Sequence, residues 1–332
     1  MFLSRLRPAA RALLAVLVLL PATAVVAGFF GRWIEPFDSL AHFRAHLAIL
    51  LLPTTLAAVA LRRPFPAILG LACMALAGAT TWRYMLPAPA AMAAHGTAPH
   101  YRLLQMNLRF DAVDKAAAVR RIGEVEPDVV TLQEVTDEWR KLLDTLQDRY
   151  PYRYYCSGAR SLFYSAILSR RPFADGDAGG ICLPEQGFVA RSVDFNGVSV
   201  AVASMHLDWP WPHGHWSQVR ALEPVLDQMP SPLVLAGDFN AAPWSAAVSS
   251  IAEASGTKPA MGIGPTWIHR TLPRATAPYV GLPIDTILHS AEIDSMIVKR
   301  LQATTSDHLP LLARVALPGD RSTPAMTVAH RR

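Results

Sequence analysis

Gly237-Asp238-Phe239-Asn240 stands directly after the apolar run Leu233-Val234-Leu235-Ala236, and Ser306-Asp307-His308 stands near the far end of the chain. Carboxylates, an amide and an imidazole delivered at strand ends are the groups needed to hold a divalent cation and aim water at a phosphate ester. Further polar residues share that setting. Asn107 follows the run 103–106, Glu134 follows 129–133, His206 follows 198–205, and Asp285 interrupts Leu282-Pro283-Ile284 and Thr286-Ile287-Leu288. Taken singly, each has a plainer reading. A Glu after an apolar strand is ordinarily a solvated loop residue, a His a satisfied structural one, and Gly-Asp-Phe-Asn a turn; Asp307 would be a cap or loop acid. The ordered set carries the weight, because strand ends meet at one rim of a sheet sandwich.

The elements that must position these groups are legible over 101–317. Short apolar runs at 101–106, 129–132, 166–169 and 233–236 predict strands, and 198–205 alternates as a strand does. Asn196-Gly197, lying between two such runs, predicts a two-residue hairpin turn because both residues tolerate positive φ. Helical patterns occupy 112–125, 137–148 and 216–227. Strands dominate and hairpins are present, which predicts sheets packed face to face with helices outside rather than a doubly wound parallel sheet.

Six pieces, in chain order, resemble the motifs of the endonuclease/exonuclease/phosphatase superfamily. They are Gln105-Met106-Asn107, Leu132-Gln133-Glu134, Ser204-Met205-His206-Leu207, Gly237-Asp238-Phe239-Asn240, Ile284-Asp285-Thr286-Ile287 and Ser306-Asp307-His308-Leu309-Pro310. Any one is weak; six in the family's order are strong. The resemblance implies an α+β, four-layer α/β/β/α sandwich and a metal-dependent phosphoester hydrolase. It implies Glu134 as a direct ligand of Mg²⁺, with Mn²⁺ as an alternative, and Asn107 and Asp307 completing or flanking that site. His308, held in one tautomer by Asp285, would manage the proton of the attacking water, and Asp238 would orient that nucleophile. Asn240 and His206 would donate hydrogen bonds to the non-bridging phosphate oxygens. One departure matters. Several nucleases of the superfamily carry an acid two residues after the first-motif Asn, and here that place is Arg109. A second metal ligand at that point is absent, and the expectation is one principal ion.

The first third of the chain bears on where the chemistry happens. Residues 12–31, 45–61 and 64–82 are nearly free of charge, and each approaches the ~20 residues a helix needs to cross hydrocarbon. The expected organisation is a membrane anchor over 1–86 with about three transmembrane helices, a linker rich in Ala and Pro over 87–100, a catalytic domain over 101–317 and a disordered tail over 318–332. Arg5, Arg7 and Arg11 precede the first span, and Arg62-Arg63 separate the second from the third. Positive residues favour the cytoplasmic side, so the third span exits outward. The expected location is therefore the cytoplasmic (inner) membrane, with the catalytic domain facing the periplasm or exterior. A rival reading makes the first stretch a cleaved signal with Ala22-Thr23-Ala24 as its cleavage site; it leaves the domain on the same side. Cys156 and Cys182 both fall in that domain, where oxidising conditions would permit a disulfide, and the sequence leaves their pairing open.

Composition narrows the partners. The chain carries +5 net charge, but residues 1–97 hold eight of its 31 basic and two of its 26 acidic residues, leaving 23 against 24 for the remainder. A near-neutral domain has no bulk footprint for a polyanion and leans toward a lipid phosphate substrate over nucleic acid. The readings left open are an envelope lipid phosphodiesterase or polyprenyl pyrophosphate phosphatase, a nuclease on extracellular DNA, and a non-catalytic tethered binding module. Asp208-Trp209-Pro210-Trp211-Pro212-His213-Gly214-His215-Trp216 could line a pocket, stack on bases, sit at membrane headgroup level or simply pack on its own domain. His213 and His215 read as an exposed turn sooner than as extra metal ligands. Membrane lipid is an expected partner, and no obligate protein partner is evident.

Overall fold

A computed structural model describes residues 8–87, 100–157, 164–174, 176 and 179–317. Four helices come first: α1 (Pro8–Ala27), α2 (Glu35–His42), α3 (Arg44–Ala60) and α4 (Pro64–Met85). Val18, Ala22 and Val25 of α1, Leu51 of α3, and Cys73 and Ala77 of α4 bury one another. Their other faces leave large apolar side chains exposed, among them Leu20, Ile49, Phe65 and Ile68. By length and composition two stretches can cross a membrane, 8–30 and 64–85; α2 and α3, bent by 66° at their junction, make a third if they count as one span.

The remainder is a sandwich. Strands β1 (His100–Asn107), β2 (Val129–Val135), β3 (Tyr152–Cys156), β4 (Tyr164–Ser169), β11 (Ser295–Arg300) and β12 (Leu311–Ala316) form one sheet in the order β11-β12-β1-β2-β4-β3. Strands β5 (Ile181–Leu183), β6 (Phe188–Phe195), β7 (Val198–His206), β8 (Leu233–Asp238), β9 (Thr257–Pro259) and β10 (Asp285–Ser290) form the other, in the order β5-β6-β7-β8-β10-β9. Ile167, Val189, Val202, Val234, Ile287 and Ala313 are among the side chains that fill the space between the sheets. Helices α5 (Lys115–Val125) and α6 (Asp137–Leu143) cover the outer face of the first sheet through Ile122, Trp139 and Leu143. Helices α7 (His215–Leu226) and α8 (Ala246–Ser255) cover the second through Val219, Leu222, Val248 and Ile251. The order of layers is α/β/β/α, as the sequence leads one to expect.

Each sheet contains one parallel pair, and this places the site. A parallel pair needs a crossover, and a helix supplies it: α5 joins β1 to β2, and α7 joins β7 to β8. Strands joined this way run in one direction and end together, with Asn107 opposite Gln133 and His206 opposite Asp238. The ends of both pairs face each other across the sandwich, since Asn107 Nδ2 donates to Asp238 Oδ2 at 3.0 Å. Gly237 fits β8 closely beside β7 within its sheet, because a Cβ there would overlap the Met205 carbonyl of the neighbouring strand. The expected hairpin is present between β6 and β7, with Asn196 at φ 56 and Gly197 at φ 90.

Several boundaries differ from the sequence reading. The first helix of the domain begins at Lys115 rather than 112, because Asp114 caps it by accepting from Ala117 N at 3.2 Å. The pattern over 137–148 is helical only to Leu143 and then tightens into a 3₁₀ turn, Asp144–Leu146. Edge strands β5 and β9, three residues each, are too short to show alternation, and α8, rich in Ser and Ala, lies outside the helical patterns named from the sequence. The expected linker at 87–100, apart from Pro87 and His100, and the expected tail at 318–332 lie outside the described residues. Cys156 and Cys182 form a disulfide joining β3 of one sheet to β5 of the other.

Candidate active site

The carboxylates gather where the two parallel pairs end. Glu134 lies beside a register shift in β2 and takes φ 56, a left-handed conformation unusual for a residue with a side chain. That kink separates Glu134 from the buried alternation of its strand. Its Oε1 accepts from Asn107 Nδ2 at 3.0 Å and its Oε2 from Phe110 N at 2.9 Å. The Asn107 amide thus bridges two carboxylates, Glu134 and Asp238, while its Oδ1 accepts from Arg109 N at 2.9 Å. Arg109 at φ 59 and Asn240 at φ 46 are also left-handed. Non-glycine residues in that region cost roughly 1–3 kcal/mol each and persist where surrounding contacts over-determine them; three of them flank one cleft.

Across the cleft, His308 Nδ1 pairs with Asp285 Oδ2 at 2.8 Å, and His308 Nε2 stands 3.6 Å from Asp238 Oδ2. Burial disfavours the charged ring, but the Asp285 and Asp238 carboxylates outweigh it and raise the pKa of His308. Burial likewise pushes the Asp238 carboxyl up from its usual range. Asp285 is held in turn by Gln105 Nε2 at 3.1 Å, and its backbone N–H donates to Thr266 Oγ1 at 3.0 Å. His206 Nε2 lies 3.8 Å from Asp238 Oδ2 and 3.9 Å from Glu134 Oε1. Asn240 donates its backbone N–H to Asp238 Oδ1 at 2.9 Å and its side-chain amide to Leu207 O at 2.7 Å. Asp307 Oδ2 accepts from Trp267 Nε1 at 3.2 Å, and its Oδ1 lies 4.0 Å from Arg109 Nε. All eight residues singled out by sequence therefore lie in one cluster at this rim, and Glu134, His206 and Asn240 line its cleft.

Asp238, Asp285 and His308 offer ligand atoms within 4.8 Å of one another. The 2.8 Å His–Asp hydrogen bond already occupies that group, and all three residues are buried. An ion there would have to displace the bond. Glu134 and Asp307 are different: their side chains keep 17% and 18% exposure. Glu134 presents its carboxylate to a cleft of about 470 Å³ that is also lined by His206, Trp209, Asn240, Tyr164 and Glu185, and Asp307 stands beside Arg109 at the same rim. Oxygen donors with room for retained waters suit Mg²⁺.

Some functional neighbours had no local signal. Gln105 and Gln133, part of two motifs but without an assigned role, form a buried chain: Gln105 Nε2 to Gln133 Oε1 at 2.9 Å and Gln133 Nε2 to Ser204 Oγ at 2.8 Å. Ser306 Oγ donates to Asn107 O at 2.8 Å and accepts from His308 N, tying the first motif to the last. Trp267 packs edge-on against Trp209 at 5.4 Å, and nothing in its flanking sequence marks it. His215 departs from the exposed turn expected of it: it is buried, with Nε2 2.9 Å from Phe239 O, and so braces the loop after β8. His213 is exposed.

A sandwich with this rim of acids and histidines defines a class, and sequence comparison identifies it. The model for the Endonuclease/Exonuclease/phosphatase family matches residues 104–308, and the chain belongs to that family. Its enzymes hydrolyse phosphoester bonds and use divalent metals. No curated protein matches the chain in sequence. Among solved structures, an endonuclease/exonuclease/phosphatase from Bacteroides vulgatus is 17% identical with a TM-score of 0.52, over 66% of this chain and 99% of that one. One from Beutenbergia cavernae is 22% identical with a TM-score of 0.51, over 66% and 72%. D. rerio TDP2, solved with a single-strand DNA product, is 20% identical with a TM-score of 0.51, over 65% and 98%. At these identities the likeness establishes the fold.

Proposed function

We propose that the protein is a membrane-anchored, Mg²⁺-dependent phosphoester hydrolase acting outside the cytoplasmic membrane. The convergence of Asn107, Glu134 and Asp238 with the Asp285–His308 pair at one cleft carries this reading. Glu134 and Asp307 would hold the ion, with Asn107 fixing the Glu134 carboxylate; when bound, the ion would polarise the phosphoryl group and support the leaving oxygen. Asp285 fixes the His308 ring by its Nδ1, so Nε2 faces Asp238 and the cleft. Asp238 then orients the attacking water, and His308 Nε2 takes up its proton, the Asp285 carboxylate favouring the imidazolium that forms. His206 Nε2, within 4 Å of both Glu134 and Asp238, and the Asn240 amide are placed to donate to non-bridging oxygens as charge builds there.

Anchoring is supported by α1 and α4, each long and apolar enough to span. The outward orientation is supported by Arg11 and the Arg62-Arg63 pair, which lie at the helix ends away from the domain. The Cys156–Cys182 disulfide fits an oxidising compartment.

Two outcomes are expected. The full-length protein should cleave bis(4-nitrophenyl) phosphate with Mg²⁺ or Mn²⁺, lose turnover in excess chelator and regain it on adding the ion back; no turnover of this ester, of DNA or of a lipid phosphoester with either ion rejects the hydrolase reading. Alkaline phosphatase, which folds only outside the cytoplasm, should be active when fused after Leu317. A silent fusion beside a fluorescent cytoplasmic reporter at the same site reverses the orientation.

A further inference from the structure

The anchor is not a loose tether, because its short second helix is built into the catalytic domain. Asp38 of α2 accepts from Ala246 N at 2.7 Å and Ala247 N at 3.1 Å, so it caps the start of α8. Trp244 Nε1 donates to Ala41 O at 2.7 Å, and Arg220 pairs with Glu35 at 2.9 Å. From α4, Arg83 O and Tyr84 O accept from Gly262 N and Gly264 N at 2.9 and 2.7 Å. Arg44, buried at the start of α3, donates to Gly28 O at 3.1 Å and reaches Thr80 Oγ1 at 3.4 Å. These bonds bring the end of α1, the start of α3 and the end of α4 to one level, against the domain.

At that level a groove of about 260 Å³ separates the α2–α3 break from the catalytic loops. Ser39, His42 and Phe43 form one wall; Trp211, Leu282 and Ile284 form the other. The groove adjoins the catalytic cleft, since Trp209 and Asn240 line both. Its walls are mainly apolar. Ser39 and His42 are its polar lining residues on the α2 side, and His42 is almost wholly buried. Around the mouth, Trp209, Trp211 and Phe43 are about half exposed, and Tyr279 and Val280 stand out beside His46 of α3, whose Nε2 lies 3.1 Å from Val280 O. Such a belt of aromatic rings suits the headgroup level of a bilayer, and an apolar patch of this kind marks a contact surface.

We propose that the substrate is a membrane lipid phosphoester that enters sideways from the bilayer. Its apolar chain lies in the groove between α2 and the tryptophan loop, and its phosphate reaches Asn240. The proposal rests on the hydrolase reading above and names its substrate class. Near-neutral charge in the domain, 23 basic against 24 acidic residues beyond residue 97, fits a lipid rather than a long polyanion.

The test uses the full-length protein in phosphatidylcholine vesicles doped with either sphingomyelin or a polyprenyl diphosphate. Bis(4-nitrophenyl) phosphate and plasmid DNA are assayed in parallel. The two lipids distinguish a headgroup diester from a terminal diphosphate. Ser39→Trp fills the groove, and Trp211→Ala strips its exposed rim. The ratio of lipid to soluble-diester turnover should fall about tenfold or more in Ser39→Trp, since contacts with several methylene groups are lost, and by less in Trp211→Ala. Soluble turnover by each variant reports that it is folded, and Trp211→Ala, altered only at an exposed position, serves if Ser39→Trp is not. An unchanged ratio overturns the proposal, as does wild-type protein that cleaves the soluble diester or DNA but neither lipid. Wild-type protein inert on every substrate removes the hydrolase reading itself.

Discussion

Glu134→Gln lowers phosphodiester turnover by roughly 10³-fold, the rate equivalent of the several kcal/mol that a correctly held ion contributes to the transition state. Glutamine keeps the shape of the side chain and its hydrogen bond from Phe110 N, so the fold is retained. Its amide cannot supply the charge that holds a cation. The variant should also be no less heat-stable than the wild type without metal. Glu134 shares the Asn107 amide with Asp238, and removing one acid from such a pair relieves repulsion, which offsets the loss of an acceptor for Asn107. Metal linkage gives a second readout: Mg²⁺ should raise the unfolding temperature of the wild type and raise that of Glu134→Gln less, because a ligand stabilises only the state that binds it. Equal Mg²⁺ shifts in the two proteins, or full activity in the variant, would remove Glu134 from the ion site.

His308→Ala should cost about 10²–10⁴-fold in kcat, the range for loss of a positioned acid or base. Asp285→Asn should cost nearly as much with the ring still present. An asparagine can satisfy Gln105 through its oxygen, but it then presents N–H to His308 Nδ1 and forces the opposite tautomer. The pair acts as a unit, so the double variant should be no worse than His308→Ala alone. Multiplying losses in the double variant would show that the two side chains work separately, contrary to their 2.8 Å contact.

How far these groups could be read from the chain differs from one to the next. Glu134, Asp238 and His308 stand in short motifs whose residue types are unusual after apolar strands, so local sequence exposed them. Gln105 and Gln133 stand in the same motifs, yet their role as a buried chain reaching Asp285 and Ser204 depends on a partner 180 residues away and another 71 away. Trp267 meets Asp307 and Trp209 only through the closing of the sandwich, and no neighbour in sequence betrays it. His215 looked like an exposed turn because Gly214 precedes it, but it begins α7, and the packing of that helix buries it.

The strand runs, the Asn196-Gly197 turn, the apolar N-terminal stretches and the six ordered motifs are local patterns, and backbone preference and hydrophobic spacing act over a few residues. Chain order was therefore enough for the family and the layer count. Distances were not available at that level. The bridge of one Asn107 amide between two carboxylates, the backbone kink that turns Glu134, and the docking of α2 on the start of α8 all join segments far apart in sequence. Such contacts follow from where the two sheets and the N-terminal helices come to rest against one another, and only folding in three dimensions decides that.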